Sequence, residues 1–136
     1  YNEKSSFIFD LDVTSPLRNV VDIKKAFNIF KNNKLDNLFS VNKSRKNPYF
    51  NMIEISKNKV VKKIKKINSK TVVRRQDAPK VYDMNASIYL WKRKSLLKKI
   101  KLINSRTSVY LMPQNRSIDI DNIHDFNYVK YLFKNN

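Results

Sequence analysis

The most informative segment for the architecture is FIFDLDVTSPLRNVVDIKKAFNIFKNNKLDNLFSV, residues 7–41. Its apolar start, Phe7–Leu11, is typical of a strand that begins almost at the first residue. Asn19 and Asp22 stand three residues apart, as an N-cap and an acidic N3 residue do where a helix begins. A second apolar run follows at 38–41. Strand, helix and strand within about 35 residues predict a βαβ-like unit and a parallel α/β sheet.

The first strand also bears on the extent of the domain. The central strands of a parallel sheet are buried on both faces, yet Phe7–Leu11 has no strand–helix unit before it. We therefore expect an inner strand whose neighbours are missing. On this reading the chain is the back part of a larger domain.

The remaining pattern is less regular. Strands over 49–55 and 60–64, joined by 56–59, are one interpretation of the middle of the chain, with Asn58 at positive φ. A short helix over 57–70 is the alternative, since Val60, Ile64 and Ile67 share a helical face. Later segments predict a strand at 88–91, a helix at 95–103 with Leu96, Leu97 and Ile100 inward, a strand at 109–112, and a helix at 125–133 with Phe126, Val129, Leu132 and Phe133 as its apolar stripe.

Length and composition exclude several classes of protein. The 136 residues suit about one domain, and no apolar run is long enough for a transmembrane helix. Without cysteine there is no disulfide, thiol nucleophile or cysteine metal site. The single histidine, His124, excludes multi-histidine metal sites and is expected at the surface or a helix end. No signal peptide pattern is visible, so we expect a cytoplasmic protein with no membrane partner.

The charge balance permits two interpretations. Lys and Arg number 29 and Asp and Glu 11, a net charge of +18, and glycine is absent. A basic excess of this kind indicates a surface that binds nucleic acid or an anionic membrane. However, the chain has 22 Lys against 7 Arg, together with 18 Asn and 13 Ile, which is the usage of an AT-rich coding sequence. The sequence favours coding bias over a selected polyanion surface.

A pair of carboxylates is the main candidate for metal binding. Asp119 and Asp121 alternate with isoleucines in SIDID, residues 117–121. On an extended segment such a pair shares one face at about 6.5 Å, and two carboxylates can hold Mg²⁺ together with water and phosphate oxygens. The alternative is that Asp121 or Asn122 caps the last helix.

Three further groups could contact ligands. Arg75 and Gln76 follow a strand-like stretch at 71–73, and an arginine fork suits a carboxylate or phosphate, although a solvated charge run would look the same. Asp12 ends the first strand, where open α/β sheets bind ligands, or it caps a turn. The lysines at 62–66 could contact a polynucleotide, but no aromatic residues are interleaved with them.

Four sequence blocks together carry a family resemblance. They are FDLDVTSPLR (9–18), FSVNKSRKNPYFNMIE (39–54), RRQDAPKVYDMNASIYLW (74–91) and SIDIDNIHDF (117–126). In this order they resemble the acylneuraminate cytidylyltransferases, or CMP-sialic acid synthetases, and in particular the bacterial branch associated with legionaminic-acid-like sugars. The third and fourth blocks are the specific ones, whereas the TSPLR turn is more widely shared.

The resemblance implies a three-layer, Rossmann-like α/β nucleotidyltransferase fold and a homodimer formed through a small β excursion at about 49–74. It implies attack by the anomeric hydroxyl of a nonulosonic acid on the α-phosphate of CTP, which releases pyrophosphate. In such enzymes Asp119 and Asp121 would bind Mg²⁺ or Mn²⁺, and Arg75 and Gln76 would meet the carboxylate of the sugar. Asp12 matches a position near the nucleotide and sugar that is often Gln.

One departure from the family pattern is clear. Family members begin with a strand and a loop close to A-R-x-G-S-K, which holds the CTP phosphates, and this sequence contains no glycine. We therefore expect a C-terminal part of one cytidylyltransferase domain without its N-terminal βα units, and the activity of these residues alone stays open. The alternatives are a basic nucleic-acid-binding module and a non-catalytic remnant that still dimerises.

Overall fold

The computed structural model describes residues 5–68 and 70–135 and shows a mixed α/β architecture. Its helices and strands are β1 (Phe7–Leu11), α1 (Val20–Asn32), β2 (Asn37–Lys43), β3 (Ile53–Ile55), β4 (Val61–Lys63), β5 (Tyr82–Lys92), α2 (Arg93–Leu97), β6 (Thr107–Leu111) and α3 (Ile123–Asn135). The chain divides into two compact units. The second unit is Lys43–Asp83, and the first unit comprises the residues before and after it.

The first unit is built on a four-stranded sheet with the order β1-β5-β2-β6. β2 runs parallel to β6, with Asn37 opposite Thr107, as the sequence predicts for an α/β fold. β1 pairs antiparallel with β5, so the expectation of a parallel sheet is wrong for this pair. The strand–helix–strand pattern identifies β1 and β2 as strands joined by a helix, but it contains no information on which strand lies between them. That place is taken by β5, a strand of 11 residues.

The core of the first unit lies between the sheet and α1. Ala26 and Phe30 of α1 pack with Leu38, Ile88 and Leu90 from the sheet, and each of these side chains is at most 1% exposed. These positions match the helical spacing and the apolar strands seen in the sequence. Burial of the Leu, Ile and Phe side chains contributes about 1.5–3 kcal/mol each, so this cluster holds α1 against the sheet.

The boundaries of α1 agree with the sequence. Asn19 accepts a hydrogen bond from the Asp22 amide, and the Asp22 carboxylate accepts one from the Asn19 amide, which is a complete capping box. The helix ends at Asn32 and its C-cap is Asn33. Both ends are therefore determined by local sequence.

The second unit contains an antiparallel hairpin of β3 and β4, so the strand interpretation of this region is correct and the helical one is wrong. The strands are shorter than expected, because the chain turns at Asn47, whose carbonyl accepts from the Phe50 and Asn51 amides. The positive φ falls on Lys59 (59°) and not on Asn58. Residues 57–59 form a three-residue hairpin loop. In such a loop the third residue adopts the left-handed conformation after a type I turn.

The helix predicted at 95–103 needs correction. α2 ends at Leu97 instead of continuing to 103, because Lys99 adopts a positive φ of 52° that no helix can continue through. Its buried residue is Ser95, whereas Leu96 and Leu97 are 38% and 64% exposed.

α3 forms as predicted but two residues longer at each end. Val129 is buried, Leu132 is half-buried, and Phe126 and Phe133 are 47% and 62% exposed, so the predicted stripe is only partly covered. The strand-like stretch at 71–73 forms no strand. Nowhere in the described part of the chain does a helix have the length and apolar character needed to cross a bilayer.

Candidate functional site

Asp12 directly follows β1 and begins a tight turn. One oxygen of this carboxylate, Oδ1, accepts hydrogen bonds from the amide and the hydroxyl of Thr14, both at 2.8 Å. These bonds, the amide first, lower the pKa of Asp12 below its ordinary value. The turn-capping role anticipated for Asp12 is therefore present. Among the described residues, its Oδ2 accepts no hydrogen bond, so one oxygen is left for a ligand.

The loop after β1 is joined directly to the SIDID segment. The Ser15 hydroxyl donates to Oδ1 of Asp119, and the Ile120 amide donates to the Thr14 carbonyl at 2.9 Å. Residues 117–121 lie outside any strand and follow a 3₁₀ turn at Gln114–Arg116. Their position is thus determined by contacts with the distant loop and not by a sheet.

Asp119 is a half-buried carboxylate whose ionisation depends on its surroundings. Burial raises the pKa of Asp119 above its ordinary value, the charges of Asp12 and Asp121 raise it further, and the Ser15 hydrogen bond opposes them. A divalent cation would relieve this repulsion. Residues 5–68 and 70–135 contain no cluster of three or more Asp, Glu, His or Cys side chains able to hold a metal. The pair Asp119 and Asp121 nevertheless matches the usual mode of Mg²⁺, which takes one or two carboxylates plus water and phosphate oxygens.

The last helix does not use Asp121 as its cap. Asn122 Oδ1 accepts from the amides of His124 and Asp125 at 2.8 and 3.2 Å, so Asn122 holds this role. Within the described residues, the Asp121 carboxylate forms no hydrogen bond or ion pair. His124 is exposed at the start of α3, as the sequence predicts. The carboxylate of Asp121 is therefore available.

Arg18 is a supporting residue to which sequence reasoning assigned no role. Its Nη1 donates to the carbonyl of Asp12 at 3.0 Å and to the carbonyl and hydroxyl of Ser87 at 2.6 and 3.3 Å. This guanidinium fastens the loop after β1 to the central strand β5. Arg18 is the last residue of the TSPLR turn, which is the sequence motif that could have drawn attention to it. Its hydrogen-bond partners are identified only by the fold.

A buried network of Asp22, Tyr110 and Arg116 holds the chain just before the SIDID segment. Asp22 is fully buried, and Arg116 donates to its two oxygens at 2.8 Å each, while the Tyr110 hydroxyl donates at 2.8 Å. Burial and the Asp22 hydrogen bond raise the pKa of Tyr110 to about 12. Because Arg116 directly precedes Ser117, this ion pair fixes the chain just before the SIDID segment.

Arg75 and Gln76 lie in the second unit, on a 3₁₀ turn at Arg75–Asp77, and both are exposed. Arg74 pairs with Asp77 at 3.0 Å, whereas Arg75 forms no ion pair among the described residues. The Arg75 guanidinium carbon lies 5.6 Å from the Phe50 ring centroid. Asp12, Asp119 and Asp121 belong to the first unit, where Ser15 of the loop after β1 donates to Asp119, whereas Arg75 and Gln76 belong to the second unit.

Aromatic rings accompany the lysines of the second unit after all. Lys63 Nζ lies 5.5 Å from the Phe50 centroid, and Lys65 Nζ lies 5.7 Å from that of Tyr49. No aromatic residue is interleaved with these lysines in the sequence, and the two rings come from a turn more than ten residues earlier. Interleaving along the chain is not required when a hairpin brings the two segments together.

Comparison with known proteins reveals homologues, although no family model matches. A Campylobacter coli protein named post-translational flagellin modification protein B is 42% identical over 127 residues, which is 93% of this chain and 52% of that protein. The CMP-N,N'-diacetyllegionaminic acid synthase of Campylobacter jejuni is 47% identical over 89 residues, 65% of this chain and 36% of that protein. The N-acylneuraminate cytidylyltransferase of Streptococcus agalactiae serotype III is 30% identical over 129 residues, 95% of this chain and 30% of that protein. The chain thus spans about half or less of the length of these relatives.

Proposed function

Since the chain is similar to N-acylneuraminate cytidylyltransferases over nearly all of its length, we propose that it serves as part of such an enzyme. In the proposed reaction the anomeric hydroxyl of a nonulosonic acid attacks the α-phosphate of CTP. The new C–O–P linkage forms the CMP-sugar, the bond to the β-phosphate breaks, and pyrophosphate leaves. Such a transfer depends on charge neutralisation and alignment more than on an acid–base pair.

Asp119 and Asp121 are the proposed ligands of Mg²⁺ or Mn²⁺. Both are carboxylates, the donor type that hard cations prefer, and burial together with the charges of Asp12 and Asp121 raises the pKa of Asp119. A bound cation would neutralise phosphate charge during the transfer. The hydrogen bond from Ser15, which joins the Asp119 carboxylate to the loop after β1, is the observation on which this assignment rests.

Arg75 and Gln76 are the proposed contacts for the carboxylate of the sugar. A guanidinium can donate two parallel hydrogen bonds to a carboxylate, and Arg75 has no competing ion pair within the described residues. Its packing on Phe50 restricts the orientation of the guanidinium plane. Asp12 is proposed to contact nucleotide or sugar through its Oδ2, because Oδ1 already accepts from Thr14.

The test is pyrophosphate release from CTP, Mg²⁺ and a panel of nonulosonic acids. The chain is assayed alone and with the remaining segment of a relative supplied as a separate polypeptide. We expect release to require Mg²⁺ and to fall roughly 100-fold in Asp119→Asn, while Asp83→Asn, an exposed aspartate of the second unit, serves as the control. A folded chain that gives no release under either condition would refute the catalytic proposal and favour a non-catalytic remnant.

A homodimer is proposed to form through the β3–β4 hairpin. Ile53, Ile55 and Val61 share one face of this hairpin with Lys63 and are 54%, 65% and 58% exposed. The opposite face carries the ion pair of Lys62 with Glu54 at 3.2 Å. A mainly apolar face, opposite one that carries an ion pair, suits burial against a second copy.

Binding of a polyanion is the second candidate function, and the distribution of charge favours it. The second unit holds 13 Lys and Arg against 3 Asp and Glu, a net +10 in 41 residues, out of +18 for the whole chain. Lysines of this unit lie against Tyr49 and Phe50. A basic surface that also carries aromatic rings is what single-stranded nucleic acids bind.

A further inference from the structure

Ser15 combines two properties that few surface-loop serines share. It is fully buried, although it lies in the loop between β1 and α1, and its hydroxyl donates to Oδ1 of Asp119, 104 positions later in the chain. Among the described residues, the second oxygen of Asp119, Oδ2, accepts no hydrogen bond. The serine therefore occupies one carboxylate oxygen and leaves the other available.

The serine itself is held on both sides. The preceding residue, Thr14, accepts from the Ile120 amide at 2.9 Å, which joins the two loops beside the Ser15–Asp119 bond. Arg18 donates to the Asp12 carbonyl and to Ser87, which ties the same loop to β5. The backbone of the loop that carries Ser15 is thus held by contacts that do not involve the Asp119 side chain.

Two neighbouring hydroxyl groups each donate a hydrogen bond to an aspartate. Thr14 Oγ1 donates to Oδ1 of Asp12, and Ser15 Oγ donates to Oδ1 of Asp119. Without the Ser15 donor, the half-buried Asp119 carboxylate could rotate about its side-chain bonds. A fixed hydrogen-bond donor behind a ligand oxygen is the usual means of orienting a metal-binding carboxylate.

We propose that Ser15 is a positioning residue that orients the Asp119 carboxylate so that Asp119 and Asp121 together bind a divalent cation. This inference rests on the proposed function, because it assumes that these two aspartates are the metal ligands. It assigns to the TSPLR turn a part in metal binding, in addition to its part in shaping the loop.

The experiment measures Mn²⁺ binding to the chain by electron paramagnetic resonance, with folding checked by circular dichroism. We expect Ser15→Ala to raise the Mn²⁺ dissociation constant about tenfold or more, the usual effect of removing a hydrogen-bond partner of a metal ligand. Ser95→Ala is the matched control, because Ser95 is also buried and donates to a carboxylate, Asp36, at 2.7 Å. That variant should lose a comparable hydrogen bond without any change in Mn²⁺ affinity.

The possible results separate the inference from the function on which it rests. Equal Mn²⁺ affinity in wild type and Ser15→Ala overturns the role of Ser15 and leaves the metal site standing. Equal weakening in Ser15→Ala and Ser95→Ala also overturns it, since the effect would then be a general loss of stability. Absence of Mn²⁺ binding in the folded wild type refutes the metal site and this inference together. If Ser15→Ala does not fold, Ser15→Cys replaces it, because a thiol keeps the shape but is a weaker donor.

Discussion

Asp22 is fully buried, yet it keeps its negative charge because three groups donate to it. Burial opposes ionisation, but hydrogen bonds from Arg116, Asn19 and Tyr110 together hold its pKa below the ordinary value. Such a pair contributes little net free energy compared with an apolar replacement, but loss of one partner leaves a buried charge unpaired. At the level of single residues, this network links the start of α1 to the segment before SIDID.

Arg116→Ala tests the strength of this link. We expect it to lower the free energy of unfolding by about 3 kcal/mol, because the Asp22 carboxylate would remain buried without its cation. The measurement is urea denaturation followed by circular dichroism. Arg45→Ala, an exposed arginine of the second unit, is the control and should stay within about 0.5 kcal/mol of wild type.

The pH dependence of stability gives a second test at this scale. The pKa of Asp22 is lower in the folded state than in the unfolded chain, so its contribution is present above about pH 4 and is lost as the pH falls through the folded pKa. Asp22→Asn should therefore flatten the fall in the urea midpoint between pH 5 and pH 3. An equally steep fall in wild type and variant would contradict the assignment.

At the scale of elements, the ends of α1 and α3 depend on short polar side chains. Asn19 and Asp22 form a capping box, and Asn122 accepts from two amides of the first turn of α3. These caps satisfy amides that have no partner within the helix. Because Asn122 caps α3, the neighbouring Asp121 is left for a ligand.

Asn122→Ala should destabilise the chain by about 1 kcal/mol, the usual cost of losing an N-cap. The matched control is Asn127→Ala, an exposed asparagine in the interior of α3, which should be neutral or slightly stabilising since alanine is the better helix former. Thermal or urea unfolding measures both. A larger loss in Asn127→Ala than in Asn122→Ala would exclude the capping role.

The β3–β4 hairpin is where the proposed homodimer can be tested. Ile55→Glu places a charge in the apolar face of β3–β4 and should convert the proposed dimer to a monomer in light scattering after gel filtration. Lys62→Glu changes a residue of the opposite face and should leave the dimer intact. A wild-type chain that is monomeric at all accessible concentrations argues against the dimer altogether.

At the scale of the whole molecule, charge is unevenly distributed, since the second unit carries +10 of the total +18. Coding bias alone would raise the basic content of both units. The remaining 95 residues contain 16 Lys and Arg against 8 Asp and Glu, a net +8. The second unit is therefore where any binding of a polyanion is expected.

If the second unit binds nucleic acid, the affinity of the chain for single-stranded DNA of arbitrary sequence should fall steeply between 50 and 200 mM salt. Release of condensed counterions requires this dependence. Fluorescence anisotropy measures it, and Lys65→Glu with Lys66→Glu should weaken binding at low salt, whereas Lys24→Glu with Lys25→Glu on α1 serves as the control. Binding that does not respond to salt, or no binding, rules out this function.

Local sequence predicted a substantial part of the fold. β1 and both ends of α1 agree with the structure because apolar spacing and capping act within a few residues. The predictions for 49–55 and 95–103 were too long, because apolar periodicity does not register a turn at Asn47 or a positive φ at Lys99. The four sequence blocks also predicted the family of the homologues. Such a similarity depends on the order of residues along the chain and requires no knowledge of their positions in space.

The sequence by itself determined the relationship to cytidylyltransferases, the capped helix and the carboxylate pair of SIDID. Only the tertiary structure decided that β5 lies between β1 and β2, that Asn122 and not Asp121 caps α3, and that Ser15 bonds to Asp119. Capping and periodicity join residues within one or two turns, and therefore can be read along the chain. A hydrogen bond between residues 104 positions apart depends on the path of every element between them, so no local pattern can predict it.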